Sequence, residues 1–260
     1  MKVCNLASGS HGNATLISSG NTHILVDNGL SMSELNKRLD GLLNVELRDL
    51  AGIIITHEHS DHTKGLAKLS NKYHLPVYMH WQSVNNFWDR GELSNLAEVD
   101  MDMPFEIGDI AIEPFRLPHD SAYNLGYKMT DGKKTFALAT DLGWVSENTL
   151  TKLEGCDGVM LESNHDVKML KYGSYPAYLK ARIAGSNGHL SNDECAKTLV
   201  KLVQSGTKRV VLAHLSQDNN TPELAFECTK QTLAGSGIIE GKDLDVEVAS
   251  QFHPTKVIEI

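Results

Sequence analysis

Short apolar runs broken by Gly, Ser and Asn fill the first part of the chain: KVCNLAS at residues 2–8, NATLIS at 13–18 and HILVDN at 23–28. Runs of this length bounded by turn-forming residues predict β-strands, and the all-apolar GIII at 52–55 predicts another buried one. After residue 60 the period changes. TKGLAKLSNKY sets Leu66, Leu69 and Tyr73 at helical spacing. VYMH, DIAIEPFRL, LGYKM and TFALAT keep a strand pattern, with Asp131-Gly132 as a hairpin turn. SNDECAKTLVKLV opens on Ser191 with Glu194 three residues on, the signature of a capping box. RVVLA predicts a strand, and TPELAFECTKQTL a helix with Thr221 as N-cap and Pro222 in its first turn. Strands alternating with helices predict an α/β fold whose sheets are covered by helices.

Neither a Pro/Ser/Gly linker nor an internal repeat divides the chain, so one domain over residues 1–260 is expected. Hydrophobic residues at 41% and charged ones at 22% are ordinary for a globular protein. The N-terminus has no continuous apolar stretch of the signal-peptide kind, which predicts a cytoplasmic protein. Cys4, Cys156, Cys195 and Cys228 are scattered with no C-x-x-C pair, so a disulfide framework and a thiolate zinc site are both disfavoured. A net charge of −9 argues against a surface coated for non-specific nucleic-acid binding, though not against a local patch.

The strand endings carry the chemistry. GIIIT runs into His57, AIEPFRLP into His119, TFALAT into Asp141 and RVVLA into His214. Ligand sites in α/β sheets collect just past the carboxyl ends of strands. The stretch THEHSDH at 56–62 adds His59, Asp61 and His62. His57 and His59 alternate as on an extended segment and can face one cation, while Asp61 and His62 fall in the following turn and can face a second. Neutral imidazoles with carboxylates suit zinc, and also manganese or iron.

These residues resemble the metallo-β-lactamase fold superfamily, whose defining motif is the one in THEHSDH. The resemblance covers nearly the whole chain and implies an αββα four-layer sandwich with two divalent metal ions at one edge. It implies His57, His59 and His119 on the first metal, Asp61, His62 and His214 on the second, and Asp141 bridging. LASGSHGNATLI, ESNHDVKMLKYGSYPAYLKARI, GHLSN and LAHLSQDNNTPELA narrow the similarity to the YycJ/WalJ group, bacterial proteins regarded as metal-dependent exonucleases acting on DNA from the 5′ end. The chain departs from that group at His11 and in HDSAYNLGY. The implied reaction is in-line attack on phosphorus by a hydroxide held between the two cations, with Asp61 and His189 as catalytic residues and His189 protonating the leaving oxygen.

A nucleic-acid substrate has separate support. From Val167 to Asn192 there is no acid, while Lys168, Lys171, Lys180 and Arg182 are interleaved with Tyr172, Tyr175 and Tyr178. Cations can hold phosphates and tyrosines can stack on unpaired bases, which makes Lys171, Lys180 and Arg182 candidate contacts to DNA. His165 and His11 are weaker candidates for the edge of the site, with packing or turn roles as their rivals. Two other readings stay open: a small-molecule or cyclic phosphodiesterase with the same metals and His189, and a metal-stabilised regulatory or binding module without turnover.

Overall fold

The structure, a computed structural model, describes residues 1–89, 92–101 and 103–260. Strands β1 (Lys2–Ala7), β2 (Ala14–Ser19) and β3 (Thr22–Val26) form an antiparallel meander. After helix α1 (Met32–Leu39), strand β4 (Gly52–Ile54) joins β3 in parallel. Helices α2 (Ser60–Thr63) and α3 (Leu66–Tyr73) lead to β5 (Val77–His80), and α4 (Trp81–Asn86) to β6 (Leu96–Val99), again in parallel.

The C-terminal half repeats this plan. Strands β7 (Phe105–Ile107), β8 (Ile110–Leu117), β9 (Asn124–Thr130) and β10 (Thr135–Ala139) are antiparallel. Helix α5 (Glu147–Leu153) then crosses to β11 (Gly158–Glu162). Helices α6 (Val167–Tyr172), α7 (Ala177–Ile183) and α8 (Asn192–Gln204) cross to β12 (Arg209–Ala213), and α9 (Pro222–Gly235) to β13 (Asp245–Val248). A last strand, β14 (Ile258–Glu259), returns to the free edge of β1 and completes two seven-stranded sheets.

Alternation along the strands sets the layers. Ile24 and Val26 of β3 and Ile54 of β4 turn one way and meet Ile112, Leu125, Tyr127 and Phe136 of the other sheet in one buried cluster. Leu25 and Ile53 turn the other way, onto Leu35 and Leu39 of α1 and Leu66 and Leu69 of α3. Across the molecule Ala137, Val159 and Leu161 cover Leu153, Leu199, Leu202 and Leu233 of the opposite helices. The order is helix, sheet, sheet, helix. Truncating one of these buried Leu or Ile side chains to Ala costs about 2–5 kcal/mol, so the sandwich holds its strand ends stiffly.

Local signals are realised with one change. Asp131 closes the β9–β10 hairpin by accepting from the amides of Lys133 and Lys134, and Gly132 takes the left-handed conformation that the turn needs (φ 80°). Thr221 caps α9. At α8 only half of the capping box forms: Ser191 accepts from the Glu194 amide, but the Glu194 carboxylate turns to Lys197 at 2.6 Å. An exposed cation on the same helix face outcompetes the cap amide for it.

Candidate metal centre

In the N-terminal sheet the site is built on two adjacent parallel strands. Directly after β3, Asp27 adopts a left-handed backbone (φ 62°), which swings its carboxylate over the neighbouring strand end. There it accepts from the Thr56 amide at 2.8 Å and from the Thr56 hydroxyl at 3.1 and 3.0 Å, and lies 2.8 Å from His62 Nδ1. The segment past β4 is thus pinned at both ends. Gly29 lets the chain close on it: a Cβ at that position would lie 1.7 Å from the Asp61 carbonyl oxygen. Asn13, from the loop SGSHGN, donates its amide to the same carbonyl at 2.8 Å and places its side-chain nitrogen 3.0 Å from His62 Nε2.

The C-terminal sheet delivers its groups from separate strands. His119 follows β8, Asp141 follows β10 and His214 follows β12. Asp141 and His214 share the left-handed turn of Asp27 (φ 60° and 55°). Asp and His tolerate this region better than most residues, and the turn folds their side chains back over the sheet edge. Glu162, the last residue of β11, is fully buried and holds the arrangement together. Its Oε1 lies 2.8 Å from His189 Nδ1 and 2.9 Å from His214 Nδ1, and its Oε2 accepts from the amides of Leu142 and Leu190.

The two halves meet. His57, His59 and His119 converge with ligand atoms within 4.8 Å of one another, as do Asp61, His62 and His214. Asp141 groups with His57 and His62, and also with Glu162, His189 and His214, which puts its carboxylate between the two sets. Its Oδ2 is 3.4 Å from His62 Nε2 and its Oδ1 3.3 Å from His214 Nδ1. Asp141 Oδ2 and His214 Nε2 are buried without a hydrogen-bond partner. Buried polar atoms are nearly always satisfied, so orphaned atoms in a nest of imidazoles and carboxylates fit divalent cations.

Electrostatics follow from the packing. Burial and the neighbouring imidazole of His62 hold His57 well below the usual histidine range, a neutral ring ready to ligate. Burial also lowers His119. Burial opposes charge on His62 and His214 too, but Asp27, Asp61 and Asp141 raise His62 well above its ordinary value, and Asp141, Asp61 and Glu162 push His214 up to about 10. At His189 burial is likewise outweighed by Glu162, and its pKa rises.

The remaining sequence candidates fare differently. Lys180 gives its ammonium to the carbonyls of Lys171 and Gly173 at 2.9 and 2.7 Å. Arg182 is paired with Asp120. The Lys171 ammonium lies 5.3 Å over the Tyr172 ring, and Tyr175 donates to Asp218 while Tyr172 and Tyr178 stay exposed. His165 is buried beside Ser191, and His11 is exposed, with its Nδ1 3.2 Å from Gln217 Nε2. From that first loop it is Asn13, not His11, that reaches the cluster. Sequence reasoning did not single out Asp27, Asn13 or Glu162, although Asp27 and Glu162 stand at strand ends like the ligand candidates.

Comparison with known proteins identifies the family. Residues 22–215 match the model of the beta-lactamase superfamily domain. The chain is 36% identical over 261 residues to the exodeoxyribonuclease YycJ of Bacillus anthracis, covering 97% of this chain and 96% of the relative. It is also 36% identical over 260 residues to the exodeoxyribonuclease WalJ of Streptococcus pneumoniae, covering 98% and 96%. Among solved structures it superposes on the metallo-beta-lactamase fold protein YhfI from Bacillus subtilis with a TM-score of 0.73, at 18% identity and covering 98% and 99% of the two chains. Fold, cluster and sequence therefore place this chain in the metallo-β-lactamase branch of the beta-lactamase superfamily, a family of metal-dependent hydrolases, alongside YycJ and WalJ.

Proposed function

We propose that the protein is a dimetal phosphodiester hydrolase, an exodeoxyribonuclease that shortens DNA from its 5′ end. The near full-length likeness to curated exodeoxyribonucleases carries this reading. The 5′ polarity follows the resemblance to the YycJ/WalJ group.

His57, His59 and His119 would hold one divalent cation and Asp61, His62 and His214 the other, with Asp141 between them; zinc suits these donors first, then manganese or iron. Such a pair supplies an activated water at neutral pH and offsets charge on the phosphoryl oxygens. Asp61 keeps its carboxylate 3.5 Å from His62 and 3.7 Å from His214, so it orders this half of the site. Glu162 fixes the His189 ring through Nδ1 and favours its protonated form, which leaves the Nε2 proton for the leaving oxygen. With Nδ1 of His214 on the same carboxylate oxygen, a ligand and the proton donor are oriented by one group.

The pairing of Lys180 and Arg182 within the protein leaves less free positive charge for a polynucleotide than the sequence suggests, and so favours a second reading, a small phosphodiester substrate. Metal-reconstituted protein incubated with end-labelled single- and double-stranded DNA, RNA and bis(p-nitrophenyl) phosphate separates the two. Progressive loss of the 5′ label from DNA is expected. Turnover of the small diester with every polynucleotide left intact would replace the nuclease reading by the small-substrate one.

A further inference from the structure

His189 lines a cavity of about 340 Å³ whose wall includes none of the proposed metal ligands. Its wall is apolar at Leu170 and Ala184, cationic at Lys171 and Lys180 and polar at His165, and it carries one carboxylate, Glu194, which is paired with Lys197. Resting on the exonuclease reading, we infer that this cavity receives the 5′-terminal nucleotide of the strand, with the lysines at its 5′-phosphate, so that each cleavage removes one nucleotide.

The direction of the chemistry leads to this assignment. In hydrolysis of the first internucleotide bond, a water oxygen bonds to phosphorus and the bond from phosphorus to the terminal nucleotide's O3′ breaks. The electron pair leaves with O3′, which takes the His189 proton, and one proton of the water passes to solvent. The departing group is therefore the terminal nucleotide, with a new 3′-hydroxyl, and it lies against His189. The remaining strand keeps the phosphate. Since His189 lines the cavity, the leaving group faces that space.

Its size and lining suit one nucleotide. Small-molecule sites run from about 300 to 1,000 Å³, and this one lies at the lower end. Lys180 spends two of its three N–H donors on the carbonyls of Lys171 and Gly173, which fixes the ammonium and leaves one donor. His165 is only 3% exposed and contributes its ring to the wall. The cavity is also separated from the space on the other side of the site: Gly143 packs where a Cβ would lie 2.3 Å from the Ser186 carbonyl oxygen, while Trp144 and Asn187 line a second cavity with His119. That ridge gives the terminal nucleotide a compartment of its own.

The test uses metal-loaded protein and 5′-phosphorylated single-stranded DNA, with products sized by mass spectrometry and thymidine 5′-monophosphate binding measured by calorimetry. Mononucleotides are the expected product. Lys171→Glu, and separately Ala184→Phe to fill the cavity, should each weaken thymidine monophosphate binding and lower kcat/KM on the oligonucleotide by about tenfold or more, the scale of one charge-assisted hydrogen bond. Metal content and melting temperature verify that each variant is folded. Dinucleotides or longer products from wild type, or wild-type binding and rates in both variants, would overturn the cavity assignment alone. A wild-type protein that leaves all DNA intact would overturn the nuclease reading itself, and the assignment with it.

Discussion

In the N-terminal half, His57 and His59 follow β4 in a short loop and Asp61 and His62 stand on α2 directly after it; in the C-terminal half, His119, Asp141, His189 and His214 arrive from distant points of the chain. The sheets that carry them share a plan, an antiparallel meander followed by parallel crossovers. What differs is the means of holding the groups. The first half relies on a contiguous motif clamped by one carboxylate, Asp27, on Thr56 and His62. The second gathers scattered groups around a buried carboxylate, Glu162, that touches His189, His214 and the amides of Leu142 and Leu190. A contiguous motif needs support at its ends, whereas a dispersed one needs a hub.

The largest effect should come from the residue that joins the halves. Asp141→Ala is expected to lower occupancy of both metals and to abolish activity, read by elemental analysis of pure, unchelated protein. Full dimetal occupancy in that variant would remove Asp141 from the bridging role. Next, His189→Ala should keep the metals and lose roughly 10²–10⁴-fold in turnover, the scale of a lost general acid. The loss should shrink on a nitrophenyl diester, whose leaving group needs little protonation; an equal loss on both substrates would point to positioning instead.

The clamp and the hub can be set against each other directly. Asp27→Asn should weaken metal binding by roughly 10–100-fold through His62 and recover its rate once metal is in excess. Glu162→Gln should weaken it similarly through His214, and stay slow at saturating metal because His189 is also misoriented. If both variants recover equally, Glu162 is no hub. A smaller effect concerns protons in place of metals. In chelated protein the raised pKa values of His62 and His214 contribute stability that is fully present below about 6.5, the unfolded histidine value, and is lost as pH rises toward the His214 value of about 10. The melting temperature of the chelated protein should therefore fall between about pH 6.5 and pH 9 more than that of the metal-loaded protein. Parallel falls would show that cations and protons do not compete there. Smallest of all, Arg182→Ala breaks a half-exposed ion pair with Asp120 and should change stability by about 0–1 kcal/mol in a denaturant titration.

How much of this was legible in the sequence depends on distance along the chain. Strands such as VYMH and RVVLA, the Thr221 cap and the Asp131-Gly132 turn follow from side-chain period and from residues that bond within a few positions of themselves. THEHSDH was legible for the same reason: its donors are neighbours in sequence, and their spacing alone brings them to one place. His119, Asp141 and His214 stood out because each follows an apolar strand, but their convergence required knowing which strands lie side by side. That register is set by burial on both faces of the sheets, a sum over many distant side chains. Glu162 ends a strand in the same way, yet the run GVMLESNHD offered no reason to separate a buried hub from an ordinary surface glutamate. The left-handed turns at Asp27, Asp141 and His214 are equally silent in sequence, since they are held by the bonds made after the strands align. The fate of the basic segment was settled there too: composition determined its charge, but only the fold decided that Lys180 would meet backbone carbonyls and Arg182 would meet Asp120, because those partners lie on other turns and loops of the chain.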